Sequence, residues 1–354
     1  MLTDIFAYRY QSRPIWQEYT DLEKRLLNQA FGVVKDAIPY YDSGGSLIKS
    51  NEAKWKSLHD KLARELGVDE LSHRYFSYIR KAPNGVDVPI TDRHTWDYVC
   101  SQFVKSSFSG QCAPDIFIKE RISFIELAMR LRGEEVAADN SQLHQKILKA
   151  KSRVQLSTAL RVPGDPVKGV QARNSLVNDT YNNQVAELNE RFRRAGAPLA
   201  YHNGFIQITQ DEMIEENIAK PFWDLVTGPV WENVDIDMKE ALDRRDSNGK
   251  DPAFYAARAL ESTIKVISKN KGWTRGNEKG AANYIDNLIS KANGRFLDVW
   301  EGELLKDYFS KVRNPFGHGP GPSPMPEFSL VQTDWAIEIA MSWIRSLIRR
   351  FNEN

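Results

Sequence analysis

Tyr19, Leu22, Leu26, Leu27, Ala30 and Val33 return every three or four residues. Odd and even steps mixed in this way keep to one face only on an α-helix. The same rhythm predicts helices over 16–34, 55–66, 95–108, 116–131, 140–160, 170–196, 212–226 and 230–245. It continues after Pro252, where Ala256, Leu260, Ile264 and Ile267 share a face, and through 281–292, 296–312 and 334–351. In the last of these Trp335, Ile339, Trp343, Leu347 and Phe351 repeat at four; the stripe Trp335, Ile339, Trp343 and Leu347 reads as core, with a share in a dimer interface as the alternative. Pro39 and Gly67 mark helix ends, Asp251-Pro252 reads as an N-cap with proline in the first turn, and 83–89 reads as a polar loop. The clearest strand signal is 199–208, which reads as a β-hairpin. Asn203-Gly204 sits at its centre, the pair that tolerates positive φ at both positions of a tight hairpin turn. The fold class is therefore mostly α: an N-terminal helical region with a small β-hairpin, then a C-terminal four-helix bundle.

At 354 residues the chain is long for one small domain. The pattern divides it into an N-terminal helical region at 1–135, a middle helical region with the hairpin at 136–250, and the bundle at 251–354. A hydrophobic share of 41% and a charged share of 27% are those of an ordinary globular protein. The net charge is +1, so no global basic field announces a nucleic-acid binder, although a local patch would suffice. Cys100 and Cys112 are the only cysteines, which excludes a disulfide framework. The start of the chain lacks a basic stretch followed by an apolar one, and no apolar run reaches the ~18 residues a membrane span needs. A cytoplasmic location without membrane contact is expected.

The densest chemistry lies in Arg313-Asn314-Pro315-Phe316-Gly317-His318, ahead of a Gly/Pro-rich loop. Arginine forks onto phosphate oxygens, and histidine moves protons near neutral pH. By pattern alone the same stretch reads equally as a helix C-terminus, with Arg313 near the negative end of the macrodipole. Upstream, Arg258, Glu261, Ser262 and Lys265 fall on the bundle's opening helix. Glu261 and Lys265, four apart, also suit a surface ion pair.

Three pieces carry a resemblance: the segment from Ala257 to Lys265, the arginine–polar–x–x–x–histidine pattern of Arg313, Asn314 and His318, and the glycine-flanked turn before a long final helix. Together they resemble the abortive-infection C-terminal branch of the HEPN superfamily. The layout before it, a helix, the hairpin and another helix, looks like the N-terminal part of AbiJ-type phage-defence proteins. The resemblance implies a metal-independent endoribonuclease toxin that acts without a cofactor, at a site formed where two bundles dimerise. It implies Arg313 as the phosphate-binding cation, His318 as the proton-transfer residue and Asn314 as the orienting polar residue. Arg258, Glu261, Ser262 and Lys265 would support them. The ribose 2′-OH would attack the adjacent phosphorus and leave a 2′,3′-cyclic phosphate and a 5′-OH, with RNA as substrate, a homodimer as assembly, and a phage-derived trigger or defence-system partner. Pro315 is expected to push Asn314 out of helical angles and end the helix near Arg313. The alternatives are a non-catalytic RNA-binding adaptor and a protein-interaction scaffold.

Other clusters point elsewhere. His59, His73, His94, His144 and His202 lack partners at metal spacing, so no metal site is expected. Asp235, Asp237 and Glu240 suit a divalent ion or, more simply, a solvated helix face. Arg74, Tyr75, Tyr78, Arg80 and Lys81 interleave rings and cations as a nucleic-acid surface does. A half-buried helix or strand edge is the plainer reading.

Overall fold

The computed structural model describes residues 4–81, 83, 86–160, 165–209, 211–317 and 327–353. Helix dominates, as the periodicity predicts, and the chain divides into two compact units, Met1–Ile206 and Gln207–Asn354. No helix among the described residues is long and apolar enough to cross a membrane.

The first unit begins with α1 (Phe6–Arg9), α2 (Asp21–Ala37) and α3 (Lys49–Leu66). α2 starts later than its apolar rhythm suggests because Thr20 and Glu23 form a capping box. The Thr20 N–H donates to Glu23 at 2.8 Å, which stops the first turn there. α3 ends at Gly67 in the left-handed region, φ 69°, as its glycine predicts. α4 (Trp96–Lys105) and the long α5 (Pro114–Ser141) follow. α5 is buried on nearly every side between Phe117 and Met129, so it forms the axis of the unit. Trp55 closes the core, with ring centroids 5.8 Å from Phe31 and 6.0 Å from Phe124, and donates its indole N–H to Ile38 O at 2.9 Å. α6 (Leu143–Leu160) and α7 (Pro166–Arg194) complete the helices of this unit. The amide-rich face of α7 joins α5 through hydrogen bonds among Asn140, Asn174 and Asn178.

Among the described residues two hairpins interrupt the helices. β3 (Leu199–His202) and β4 (Phe205–Ile208) pair around Asn203 (φ 43°) and Gly204 (φ 94°), the turn their dipeptide predicts. The other hairpin corrects the reading of 74–93. β1 (Tyr75–Lys81) and β2 (Asp87–Arg93) form an antiparallel ribbon that is exposed almost throughout, where a half-buried element and a polar loop were expected. Pro89 is tolerated because a two-stranded ribbon has only edges. Cys100 is buried, Cys112 is exposed, and both are free thiols.

In the second unit α8 (Glu212–Ile214) runs through a π-helical turn, Glu215–Ala219, into α9 (Lys220–Leu225). α10 (Glu232–Asp246), α11 (Pro252–Asn270), α12 (Ala281–Ile289) and α13 (Val299–Tyr308) come next. A second π-helical turn, Phe309–Arg313, leads to α14 (Asn314–Gly317), and α15 (Leu330–Glu353) ends the chain. One apolar core runs from Phe222 to Ile348 and includes Met238 of α10, Leu260 of α11, Leu288 of α12, Leu305 of α13 and Ile344 of α15.

Three expectations are corrected here. Asp251 does not cap α11: it takes φ 59°, ψ 43° and makes no side-chain cap bond. Asn314 is not pushed out of the helix, since it keeps φ −64°, ψ −37° and the helical path continues to Gly317. The wide turn explains why. A proline ring clashes with the carbonyl one turn back and supplies no N–H. An inserted residue opens that turn, and the Asn314 N–H reaches Phe309 O instead. The other π-helical turn stands in the same relation to Pro221, with the Lys220 N–H on Glu215 O. The third correction concerns α15. Its core face is Ala336, Ile337, Ala340, Met341, Ile344, Leu347 and Ile348, while Trp335 is 54% exposed and Ile339 and Trp343 are only partly buried. A strict repeat of four drifts around a helix of 3.6 residues per turn, so the tryptophan stripe lies on a flank.

Candidate functional site

α11 presents Arg258, Glu261, Ser262 and Lys265 from one side, and the second π-helical turn carries Arg313 towards it. Tyr308, just before that turn, is buried and donates its hydroxyl to Ala336 O at 2.9 Å, which pins the turn to α15. Burial raises the Tyr308 pKa, so the phenol stays protonated as a donor.

Glu261 is 5% exposed and holds two cations. Its Oε2 lies 3.0 Å from Arg313 Nη2 and its Oε1 lies 2.8 Å from Lys265 Nζ. Lys265 Nζ sits 5.8 Å from the Tyr284 ring centroid, and Arg313 Cζ lies 6.0 Å from that of Phe254. The Arg313 side chain remains 29% exposed, and its Nε is a buried donor without a hydrogen-bond partner among the described residues. Two positive charges against one buried carboxylate leave a net positive spot. The anchored guanidinium keeps further N–H groups for an anion such as phosphate.

The other expected residues part company. Arg258 turns to the buried Asp237 of α10, with Nε 2.9 Å from Oδ1 and Nη2 also bonded. Those hydrogen bonds raise the Arg258 pKa and commit its charge. The Tyr255 ring meets two guanidinium groups, its centroid 4.7 Å from Arg258 Cζ and 4.3 Å from Arg244 Cζ. Ser262 is half-buried on α11, and Asn314 is exposed with its backbone N–H spent in the π-helical turn. His318 lies outside the described residues. The acidic triplet is neutralised residue by residue: Asp237 by Arg258, Asp235 by Lys239 at 2.5 Å, and Glu240 by Arg244 at 2.5 Å. Sequence reasoning missed Asp237 as the partner of Arg258, and the aromatic flanks Phe254, Tyr255 and Tyr284. Most of these pairings cross between helices, which no local spacing reports; Tyr255 and Arg258 alone are neighbours three apart on α11.

Beside the turn, Leu304, Tyr308, Val312, Trp335, Ile339 and Trp343 line an open apolar groove of about 480 Å³ between α13 and α15. Leu304 is 53% exposed there, more apolar surface than a solvated helix flank requires.

The family model described as AbiJ N-terminal domain 4 matches residues 4–224, more than half of the chain. No curated protein and no solved structure matches. Arg313, Glu261 and the groove lie beyond the matched residues.

Proposed function

This chain belongs to the AbiJ N-terminal domain 4 family, which ties it to abortive-infection defence, and we propose that its C-terminal helices form a HEPN-like bundle that cuts RNA without a metal ion. The observation that carries this reading is Arg313, a part-exposed guanidinium fixed by the buried Glu261 and reinforced by Lys265. Such a cation, held in place before substrate arrives, stabilises charge that develops on phosphorane oxygens. His318 follows closely in the chain and is assigned the proton transfer to or from the 2′-OH. Asn314, exposed on the same turn, is assigned contact with the phosphate.

One site histidine per chain cannot act as base and acid in the same step, so the reading includes a homodimer that pools two sites. The apolar groove of Leu304, Trp335 and Trp343 supplies the contact surface. Trp335→Glu, which buries a charge in that contact, is expected to leave monomers in sedimentation velocity and to lower cleavage with them. A variant that remains dimeric by the same measurement places the interface elsewhere.

The function is tested with purified full-length protein and total RNA in EDTA, with product ends mapped. Ends carrying 2′,3′-cyclic phosphate and 5′-OH are expected. RNA retention without any cleavage would instead establish the adaptor.

A further inference from the structure

The ribbon β1–β2 carries an unusual load for a hairpin that packs on so little. Tyr75, Phe76, Tyr78, Ile79 and Val88 are 37–70% exposed, and Tyr98 beside its base is 42% exposed. An isolated two-stranded hairpin gains little stability from such side chains, and solubility disfavours them. Their order gives the pattern a meaning. The register pairs Phe76 with Asp92 and Tyr78 with Ile90, so strand alternation sets Phe76, Tyr78 and Arg80 on one face. Along that face four rings stack in a row: Tyr78 on Phe76 at 5.9 Å, Phe76 on His94 at 4.3 Å, and His94 on Tyr98 at 4.2 Å, with interplanar angles of 20–30°. The row stands in solvent instead of closing a core.

Charge decides what such a row fits. Arg80, Lys81 and Arg93 are exposed and form no ion pair among the described residues. Arg74, at the base, lies flat over Trp96 with Cζ 3.8 Å from the ring centroid. Within the strands Arg80, Lys81 and Arg93 meet two carboxylates, Asp87 opposite Lys81 and Asp92 opposite Phe76, and Arg74 adds a fourth cation at the base. Exposed stacked rings flanked by unneutralised cations complement a polymer of planar groups on a phosphate backbone. A peptide strand added to the ribbon's edge would need neither the ring row nor the excess charge.

We infer that the β1–β2 ribbon is a single-stranded nucleic-acid platform, on which bases stack on the ring row of Phe76 and Tyr78, Arg80 on the same face meets phosphate, and Lys81 and Arg93, set by the register on the opposite face, reach phosphates around the ribbon's edges. It stands independently of the proposed cleavage at Arg313. The probe is a fluorescein-labelled 2′-O-methyl oligoribonucleotide of about 12 nucleotides, which offers bases and phosphates but no attacking 2′-OH. Anisotropy with the full chain is expected to show binding, with a duplex of the same sequence at least about tenfold weaker because its bases are already stacked inside. Phe76→Ala with Tyr78→Ala is expected to weaken binding about tenfold or more, and Phe76→Tyr with Tyr78→Phe to retain it. Three phosphate contacts predict a slope of about −2 in log affinity against log salt, which Arg80→Ala with Lys81→Ala and Arg93→Ala should flatten. Photocrosslinking of the wild-type chain should map to 75–81, which guards against a variant that merely misfolds. Absence of wild-type binding, or an alanine ring variant that binds as tightly as wild type, overturns the platform. Loss of a co-purifying protein from the ring variant with RNA affinity unchanged overturns it too, in favour of protein docking.

Discussion

Arg313→Ala is expected to slow RNA cleavage in EDTA by two to three orders of magnitude, the loss that follows removal of one positioned donor from a developing oxyanion. The reason lies in how the guanidinium is held. Glu261 holds it as an ion pair, with Oε2 3.0 Å from Nη2, which tethers the guanidinium and leaves its exposed N–H groups for phosphate. Lysine cannot replace it, because a single ammonium cannot serve the anchor and the phosphate in one plane. Arg313→Lys is therefore expected to recover little activity. The truncation should leave the fold intact, since Glu261 keeps Lys265 as a counter-ion at 2.8 Å. Single-turnover rates on labelled RNA, with far-UV circular dichroism and sedimentation as controls, measure this directly. His318→Ala is expected to show a comparable loss, since general acid–base assistance contributes on the order of 10²–10⁴-fold. Cleavage by Arg313→Ala at the wild-type rate, or equal growth arrest on expression, would refute the assignment and turn attention to a scaffold role.

Glu126→Ala should be the most damaging single truncation for stability in the first unit, at about 3–5 kcal/mol. The Glu126 side chain is fully buried and receives Arg9 Nη1 at 3.2 Å, Arg130 Nη2 at 2.9 Å and the Ile206 N–H at 2.7 Å. Arg9 Nη2 also bonds it, and donates to Ile206 O at 3.0 Å. Burial alone would pull the Arg9 pKa down, yet the charge and hydrogen bonds of Glu126 leave it raised overall. Without the carboxylate, buried Arg9 keeps Asp4 at 3.2 Å but loses its buried partner, Arg130 loses its counter-ion, and the first residues of β4 lose their tie to α1 and α5. Urea unfolding should show the midpoint falling well below that of wild type. Glu126→Gln, which keeps the shape and two polar atoms, should fall by less. A Glu126→Ala midpoint indistinguishable from wild type would mean that the cluster relaxes into water when broken.

The helices were legible because their instructions are local. Leu26, Ala30 and Val33 need only each other to define a face, and Gly67 and Asn203-Gly204 need only their own backbone freedom. The ribbon at 75–93 was not legible, because its exposed strands carry no alternation of buried and solvated residues to betray them. Nor was the path through Pro315, where the proline signal is read correctly but a π-helical turn absorbs it.

At the candidate site the division is sharper. Residue identity singled out Arg313, Glu261 and Lys265, and local spacing placed Glu261 and Lys265 one turn apart. Packing alone decided that Arg313 meets Glu261 while Arg258 is drawn away to Asp237. It also decided that Trp335 lies beside a groove instead of in the core. Periodicity and turn preference act over a few residues and are written in order along the chain. The partner of a charge, or the cover of an apolar flank, depends on which distant helix the core brings alongside, and that emerges only when all the faces are buried together.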